Sequence, residues 1–333
     1  AKYTTHNSDT EGPISYAIDF IDLAGNNNGT DVASGHADNV IYDKTAPLRV
    51  ATSITSNNNP NHLANDDDVV TVTMSGNEAL QQPTVVFLSG TNVVENRAGN
   101  GSGIIYATAD SGVTWTAKYA PHSSDTAGNV TFTADFMDLA GNNGTQVHAV
   151  IGSTAVEIDL VHPTVSVTSI ENTTSGAPST ALAKAAEVIT LTFVTDEKIH
   201  EPVVVFKTNS QPVVNRLGNG SGITYTNASG DKKNWTAAYT THASDQDGDV
   251  SYTINFEDLA TNDGVEEAAS GTIRFDDISP NLTGVTLGSG NSADQSFWFL
   301  TTSKWAKPLD TVFLNFAGDT ALIDSTVAVQ FFS

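Results

Sequence analysis

Aspartate residues recur at matching places along the chain, and their chemistry suits a hard cation. Some precede Gly- or Asn-rich turns, and the others stand four residues before a proline. They are Asp22, Asp43, Asp138, Asp159, Asp258 and Asp276. Ca²⁺ takes about six to eight oxygen ligands, which carboxylates and carbonyls supply. We therefore expect calcium at one or more of these positions. The alternative is that these residues only form Asx turns and keep strand edges soluble.

A His–Asp pair recurs three times, with the Asp three residues after the His. The pairs begin at His6, His122 and His242. Such a pair could act in base catalysis or bind a metal. No nucleophile or third ligand accompanies it, and enzymes rarely repeat a site at domain spacing. We therefore expect the pair to form a hairpin turn. Because no constellation of nucleophile, base and orienting group is present, we do not expect an enzyme.

Asn-x-Ser/Thr sequons are frequent. They begin at Asn28, Asn100, Asn129, Asn143, Asn172, Asn219, Asn227, Asn234 and Asn281. If the source is a eukaryote, they predict an N-glycosylated surface protein. A chain rich in Asn, Ser and Thr also produces sequons by chance, so both interpretations stay open.

The charge balance excludes several classes of partner. The chain carries 38 Asp and Glu against 14 Lys and Arg, for a formal net charge of −24. Nucleic acid and anionic membrane surfaces favour clustered Lys and Arg, so neither is expected to bind. There is no cysteine, which excludes disulfides and thiolate metal sites. No apolar run reaches the roughly 18 residues of a membrane span, so we expect no insertion by this segment.

An internal repeat organises the chain. The segment DFIDLAGN at 19–26 returns as DFMDLAGN at 135–142 and as NFEDLATN at 255–262. A second segment returns from Asp68, Glu187 and Asp310. The period is about 118 residues, which is the length of a domain and much longer than a solenoid repeat. The sequence therefore predicts a tandem array of similar domains.

The repeating unit alternates apolar and polar residues. Val130, Phe132, Ala134 and Phe136 alternate with polar residues, and the equivalent segments at 14–20 and 250–256 do the same. Period two with one apolar face predicts strands that pack on one side. Turn residues separate the strands at roughly ten-residue intervals. We therefore predict an all-β fold of tandem Ig-like antiparallel β-sandwich domains.

Proline-containing linkers divide the array. YDKTAP, IDLVHP and FDDISP end at Pro47, Pro163 and Pro280, and proline suits a short, stiff connection. The boundaries predict two complete domains, 48–163 and 164–280. A head, 1–47, precedes the two complete domains and matches the C-terminal half of a unit. A tail, 281–333, follows them and matches the N-terminal half.

Neither half can bury its own sheet face, so half-sandwiches should not be stable alone. One interpretation is that the chain is a window of a longer array. The other is that the tail of one subunit completes the head of the next by strand complementation.

The DFIDLAGN and DFMDLAGN segments and the linker at 43–47, DKTAP, carry a family resemblance. They resemble the tandem bacterial Ig-like repeats of giant surface adhesins, whose units end in D-x-A-G-N and join through D-x-T-A-P. They are also similar to repeats in surface-filament proteins and in predicted surface proteins of unicellular eukaryotes. The third unit departs from the motif with DLATN at 258–262, and the later linkers keep only the Asp and Pro. The resemblance implies an extended extracellular stalk, often stiffened by calcium.

Together these features predict a non-enzymatic structural or adhesive protein of the cell surface. Its partners would be like subunits or neighbouring repeats, end to end, and possible ligands are glycans or other cell-surface molecules. The alternative is a carbohydrate-binding module array of an exported enzyme. That alternative requires solvent-exposed aromatic residues in a planar strip, and the dense aromatic cluster of the chain, Phe297, Trp298, Phe299 and Trp305, lies in one incomplete unit rather than in every repeat.

Overall fold

The computed structural model describes residues 1–32, 40–94, 103–148, 155–213, 222–289, 308–321 and 327–332. Within these ranges the regular secondary structure is β-strand throughout. The described residues contain no helix of the length and apolarity that crossing a bilayer requires. The all-β class predicted from the sequence is confirmed.

The first complete domain, 48–163, folds into two facing sheets. Its strands are β5 (Arg49–Ser56), β6 (Leu63–Ala64), β7 (Val70–Gly76), β8 (Thr84–Ser89), β9 (Asn92–Val93), β10 (Ile105–Thr108), β11 (Thr114–Tyr119), β12 (Gly128–Asp135), β13 (Val147–His148) and β14 (Glu157–Ile158). One sheet has the order β10-β11-β7-β5. The other has the order β6-β14-β12-β8-β9, with β13 also paired to β12.

This strand order is that of an immunoglobulin sandwich. β5, β7, β11 and β10 take the places of strands A, B, E and D, while β8, β12 and β14 take those of C, F and G. The short strand β6 pairs in parallel with β14, whereas the other pairings are antiparallel. The Ig-like sandwich expected from the repeat is therefore present.

The second complete domain, 164–280, repeats the arrangement. Its strands are β15 (Val165–Asn172), β16 (Leu182–Ala183), β17 (Val188–Thr195), β18 (Val203–Thr208), β19 (Gln211–Pro212), β20 (Thr224–Thr226), β21 (Asn234–Thr240), β22 (Gly248–Asn255) and β23 (Glu267–Phe275). The sheet orders are β15-β17-β21-β20 and β16-β23-β22-β18-β19. The single strand β23 pairs with β22 in the way that β13 and β14 both pair with β12 in the first domain.

Alternating side chains of both sheets form the cores. Along β7 every second residue is buried, and β17 shows the same period. Aromatic rings join the two sheets: Phe87 on β8 lies 4.8 Å from Tyr119 on β11, and Phe206 lies 4.7 Å from Tyr239 in the second domain (centroid distances). Such pairs add to the burial of apolar area, so each domain has its own cohesive core.

The head and the tail contain isolated hairpins. The head strands are β1 (Gly12–Pro13), β2 (Ala17–Ile21), β3 (Asn27–Val32) and β4 (Ile41–Tyr42), which pair as β1–β4 and β2–β3. The tail strands β24 (Leu282–Ser289) and β25 (Val312–Gly318) pair with each other. Among the described residues of these hairpins, the apolar side chains are largely exposed.

Candidate metal centres at the domain junctions

Two clusters of three carboxylates lie at equivalent places, one on the linker before each complete domain. The first cluster is Asp43, Glu78 and Asp138; the second is Asp159, Glu197 and Asp258. In each cluster one carboxylate oxygen from every residue lies within 4.8 Å of the others. The linker supplies the first Asp, the turn after β7 or β17 supplies the Glu, and the loop after β12 or β22 supplies the buried second Asp.

The buried Asp of each cluster is held by its own loop. Asp138 Oδ1 accepts hydrogen bonds from the N–H groups of Gly141 and Asn142, at 2.7 and 2.9 Å. The Asn142 amide donates to Asp138 Oδ2 at 2.8 Å and also to the backbone oxygen of Asp43 at 3.2 Å. The D-x-A-G-N motif thus folds an Asx-type loop whose last side chain also binds the linker.

The second loop repeats these contacts with the next linker. Asp258 Oδ1 accepts from Asn262 N at 2.9 Å, and Asp258 Oδ2 accepts from the Asn262 amide at 2.8 Å. The same amide donates to the backbone oxygen of Asp159 at 3.1 Å. Asn142 and Asn262, which occupy the same place in the repeat, therefore each join a linker to the domain that follows it.

Burial and the neighbouring carboxylates raise the pKa of the glutamate in each cluster. Burial, followed by the charges of Asp159 and Asp258, raises the pKa of Glu197 to about 7, with Lys233 opposing. Burial, followed by Asp43 and Asp138, likewise raises the pKa of Glu78. Carboxylates that repel one another in this way are stabilised when a cation enters between them.

The two buried aspartates differ in one respect. Burial raises the pKa of Asp258 above its ordinary value, and Asp159 adds to this, despite the bonds from Asn262. For Asp138 burial acts in the same direction, but the hydrogen bonds from Asn142, Gly141 and Ala140 outweigh it and lower the pKa.

Loops of the first complete domain contact the loop that holds Asp258. The Asn58 amide donates to the backbone oxygen of Ala260 at 2.8 Å, and the Asn65 amide donates to Thr261 Oγ1 at 3.2 Å. Thr261 has a φ of 66°, a left-handed conformation that is unusual for a β-branched residue. It stands where the first domain has Gly141. The departure from D-x-A-G-N therefore supplies a hydroxyl to the junction.

The donor set fits calcium better than a softer metal. All six side chains are carboxylates, and Ca²⁺ prefers oxygen ligands in a flexible arrangement. Among the described residues, no Lys or Arg side chain forms an ion pair with any of the six. In both buried aspartates Oδ1 accepts from backbone N–H of the loop, while Oδ2 accepts from the Asn amide and keeps a lone pair that can face a cation. Both clusters are thus chemically suited to a divalent cation.

The sequence located four of these six residues. It also proposed Asp22 and Asp276, which lie outside both clusters: Asp22 is exposed and accepts from Ala24 N and Asn26 N, and Asp276 accepts from Ile278 N. Glu78 and Glu197 were missed. The sequence feature that could have identified them is their recurrence: Glu78 follows β7 and Glu197 follows β17 at the same place in the repeated segment.

The His–Asp pairs form turns, as expected. His122 N donates to Asp125 Oδ2 at 2.9 Å, and the His122 ring lies 2.9 Å from Ser124 Oγ. The pairs beginning at His6 and His242 have the same contacts. The polar groups of the His–Asp pair therefore form hydrogen bonds within the turn.

The sequons fall in different environments. Asn129, Asn143, Asn234 and Asn281 are exposed, Asn227 is half-buried, and Asn28 lies on β3. Asn172 is 3% exposed and donates to Leu182 O and Glu187 Oε2, so a glycan there does not fit the folded domain. Asn100 and Asn219 lie outside the described residues, as does the aromatic segment 297–305.

Comparison with known proteins identifies no family for the chain. No family model matches the chain, and no curated protein matches it. Among solved structures, it is similar to Rst D1-D2, with 9% identity over 68% of this chain and 99% of the other and a TM-score of 0.27. It is also similar to a marsupial T cell receptor, with 10% identity, 67% and 96% coverage and a TM-score of 0.22. The Ig-like assignment rests on the strand order given above.

Proposed function

We propose that this chain is a structural or adhesive segment of an extracellular stalk, built from Ig-like domains whose junctions are stiffened by calcium. The observation that carries the proposal is the repetition of one acidic cluster at the linkers that precede the two complete domains. Catalysis has no part in it. A single acidic cluster is common on protein surfaces, whereas two clusters with matched ligands at matched junctions favour a repeated mechanical role.

Each cluster spans a joint. Asp43 and Asp159 belong to the linkers, while the remaining carboxylates belong to the domain that follows. A cation bound by all three would attach the linker to that domain and remove rotational freedom at the connection. Without it, mutual repulsion pushes the carboxylates apart. Calcium would therefore set how far the joint bends.

The affinity expected of such a site matches an extracellular setting. Calcium modules outside the cell commonly bind with Kd of about 10⁻⁴–10⁻³ M, which the ambient calcium concentration saturates. Part of the oxygen shell would come from water, since each cluster provides only three side chains. We therefore expect binding in that range rather than the tighter range of cytosolic sensors.

Calorimetric titration of the full chain with CaCl₂ tests the proposal. We expect two sites per chain. The double variant Asp43→Asn/Glu78→Gln should lose one site, and Asp159→Asn/Glu197→Gln should lose the other. The exposed Asp67→Asn serves as the acidic control and should keep both.

A flat titration of the parent chain would overturn calcium binding. Loss of heat in Asp67→Asn, or two full sites in both double variants, would show that calcium binds elsewhere on an acidic surface. Circular dichroism of every variant checks that the sandwiches remain folded.

A further inference from the structure

A lysine lies beside the second acidic cluster, which consists of Asp159, Glu197 and Asp258. Lys233 belongs to the turn before β21 and is half-buried. Its Nζ donates a hydrogen bond to the backbone oxygen of Asp196 at 2.6 Å, and Asp196 directly precedes Glu197. The ammonium group is therefore held on the turn that presents the glutamate of the cluster.

The backbone of the same turn fixes the position of the lysine. Thr195, the last residue of β17, donates to the backbone oxygen of Lys233 from its N–H at 3.0 Å and from its hydroxyl at 3.3 Å. The Thr195 hydroxyl also donates to the backbone oxygen of Glu197 at 2.6 Å. Both the backbone and the ammonium of Lys233 are thus bonded to segment 195–196, next to Glu197.

The positive charge of Lys233 acts on the carboxylates without a direct ion pair. Burial and the charges of Asp159 and Asp258 raise the pKa of Glu197, and the charge of Lys233 opposes them. The Coulomb interaction falls only as the inverse of distance, so an ammonium on a neighbouring turn still offsets part of the negative charge. The second cluster therefore has a partial counter-charge of its own.

The first cluster has an apolar residue at the equivalent position. Lys233 corresponds to Val113, and Asp196 corresponds to Asn77. Burial, followed by three neighbouring carboxylates, raises the pKa of Glu78, and among the described residues no Lys or Arg charge opposes this rise. The two clusters thus have the same three carboxylates but differ by one positive charge on the turn beside them.

We propose that Lys233 is a resident counter-cation of the second cluster and lowers the affinity of that cluster for calcium relative to the first. A divalent cation that enters the second cluster is repelled by the ammonium group, whereas Val113 exerts no such repulsion at the first. The two junctions then bind calcium in order, the first before the second, as its concentration rises. The difference in calcium affinity rests on the proposed function, whereas the charge compensation by Lys233 does not require calcium.

Calorimetric titration of reciprocal full-length variants with CaCl₂ tests the effect on affinity. Lys233→Gln should raise the calcium affinity of the second site by about three- to tenfold, and Val113→Lys should lower that of the first site by a similar factor. Lys232→Gln removes a positive charge from the exposed neighbouring residue and should change neither affinity. Salt at about 0.5 M should reduce both effects by screening. The double variants described above assign each binding heat to its site.

Urea unfolding in EDTA tests the charge compensation in the absence of calcium. At about pH 8, where most of Glu197 is ionised, Lys233→Gln should raise the unfolding equilibrium constant of the second domain by about fivefold. In a Glu197→Gln background the same substitution should have a clearly smaller effect, because the charge that the lysine offsets is reduced. The dependence on Glu197 separates charge compensation from the hydrogen bond to Asp196.

Three results would overturn the proposal. Equal calcium affinities of the second site in the parent and in Lys233→Gln, or an equal gain in Lys232→Gln, would show that Lys233 has no specific effect on the cluster. The same loss of stability in both backgrounds would mean that Lys233 acts only as a hydrogen-bond donor to Asp196. A flat titration of the parent would overturn calcium binding itself, and the measurement in EDTA would then support or overturn the charge compensation alone.

Discussion

Glu197 should make the calcium-free protein less stable as the pH rises. Its pKa in the folded chain is raised from 4.5 to about 7, first by burial and then by Asp159 and Asp258. Below about pH 4.5 the residue is protonated in both the folded and the unfolded state. Between 4.5 and 7 the unfolded chain ionises while the folded chain keeps the proton, so the free energy of unfolding falls with rising pH.

The magnitude follows from that shift. A rise from 4.5 to about 7 corresponds to roughly 3 kcal/mol. Because Glu197 is only partly buried, solvent screening reduces the effect to about 1–2 kcal/mol. The variant Glu197→Gln has no such proton to lose. At about pH 8 in EDTA it should therefore be more stable than the parent by about 1–2 kcal/mol, and at about pH 4 the two should be equal.

Urea unfolding, monitored by the fluorescence of Trp235, measures this difference in the free energy of unfolding. Trp235 is buried in the same domain as Glu197, and replacing Trp115, Trp298 and Trp305 with Phe isolates its signal. Exposed Glu201→Gln is the matched control and should not change the free energy of unfolding. If Glu197→Gln is no more stable than the parent at about pH 8 in EDTA, the electrostatic account of the cluster is wrong.

Three further predictions concern the same junctions. Calcium affinity at the second cluster should fall by about tenfold per pH unit as the pH drops below 7, because the metal competes with the Glu197 proton; calorimetry over a pH series checks this. Gly264→Ala should destabilise the second domain by about 1–3 kcal/mol in urea unfolding, since a Cβ there would lie 2.2 Å from Phe256 Cε2; the equivalent Gly144→Ala should do the same in the first domain. Thr261→Gly should relieve a strained backbone by about 1 kcal/mol while removing the hydrogen bond to Asn65, so local hydrogen exchange near 258–262 should increase although the domain itself does not unfold more easily.

The sequence sufficed for the fold because its main signal is periodic. Alternation of apolar and polar residues along β12 and β22 fixes which side chains enter the core, and the repeat shows that the pattern is not accidental. The recurring turns at His122 and His242 were predicted for the same reason. The period-two spacing of apolar residues therefore predicts which side chains a strand buries.

The candidate sites were only partly predictable because they depend on contacts between segments far apart in sequence. Asp159 and Asp258 were identified from recurring turns and linkers, but nothing local connects them with Glu197. The burial of Asn172 was equally hidden, since its partner Glu187 lies across a loop. The DLATN departure looked like a weakened motif, whereas Thr261 contacts Asn65 of the preceding domain.

The measurement that tests the central claim most directly is the spread of distances across a junction with and without calcium. Spin labels at Lys118→Cys in the first complete domain and Val203→Cys in the second would report it by pulsed electron resonance. The calcium-stiffened junction predicts a distance distribution that narrows at millimolar calcium and stays broad with Asp159→Asn/Glu197→Gln. A distribution of the same width with calcium and with EDTA would contradict it.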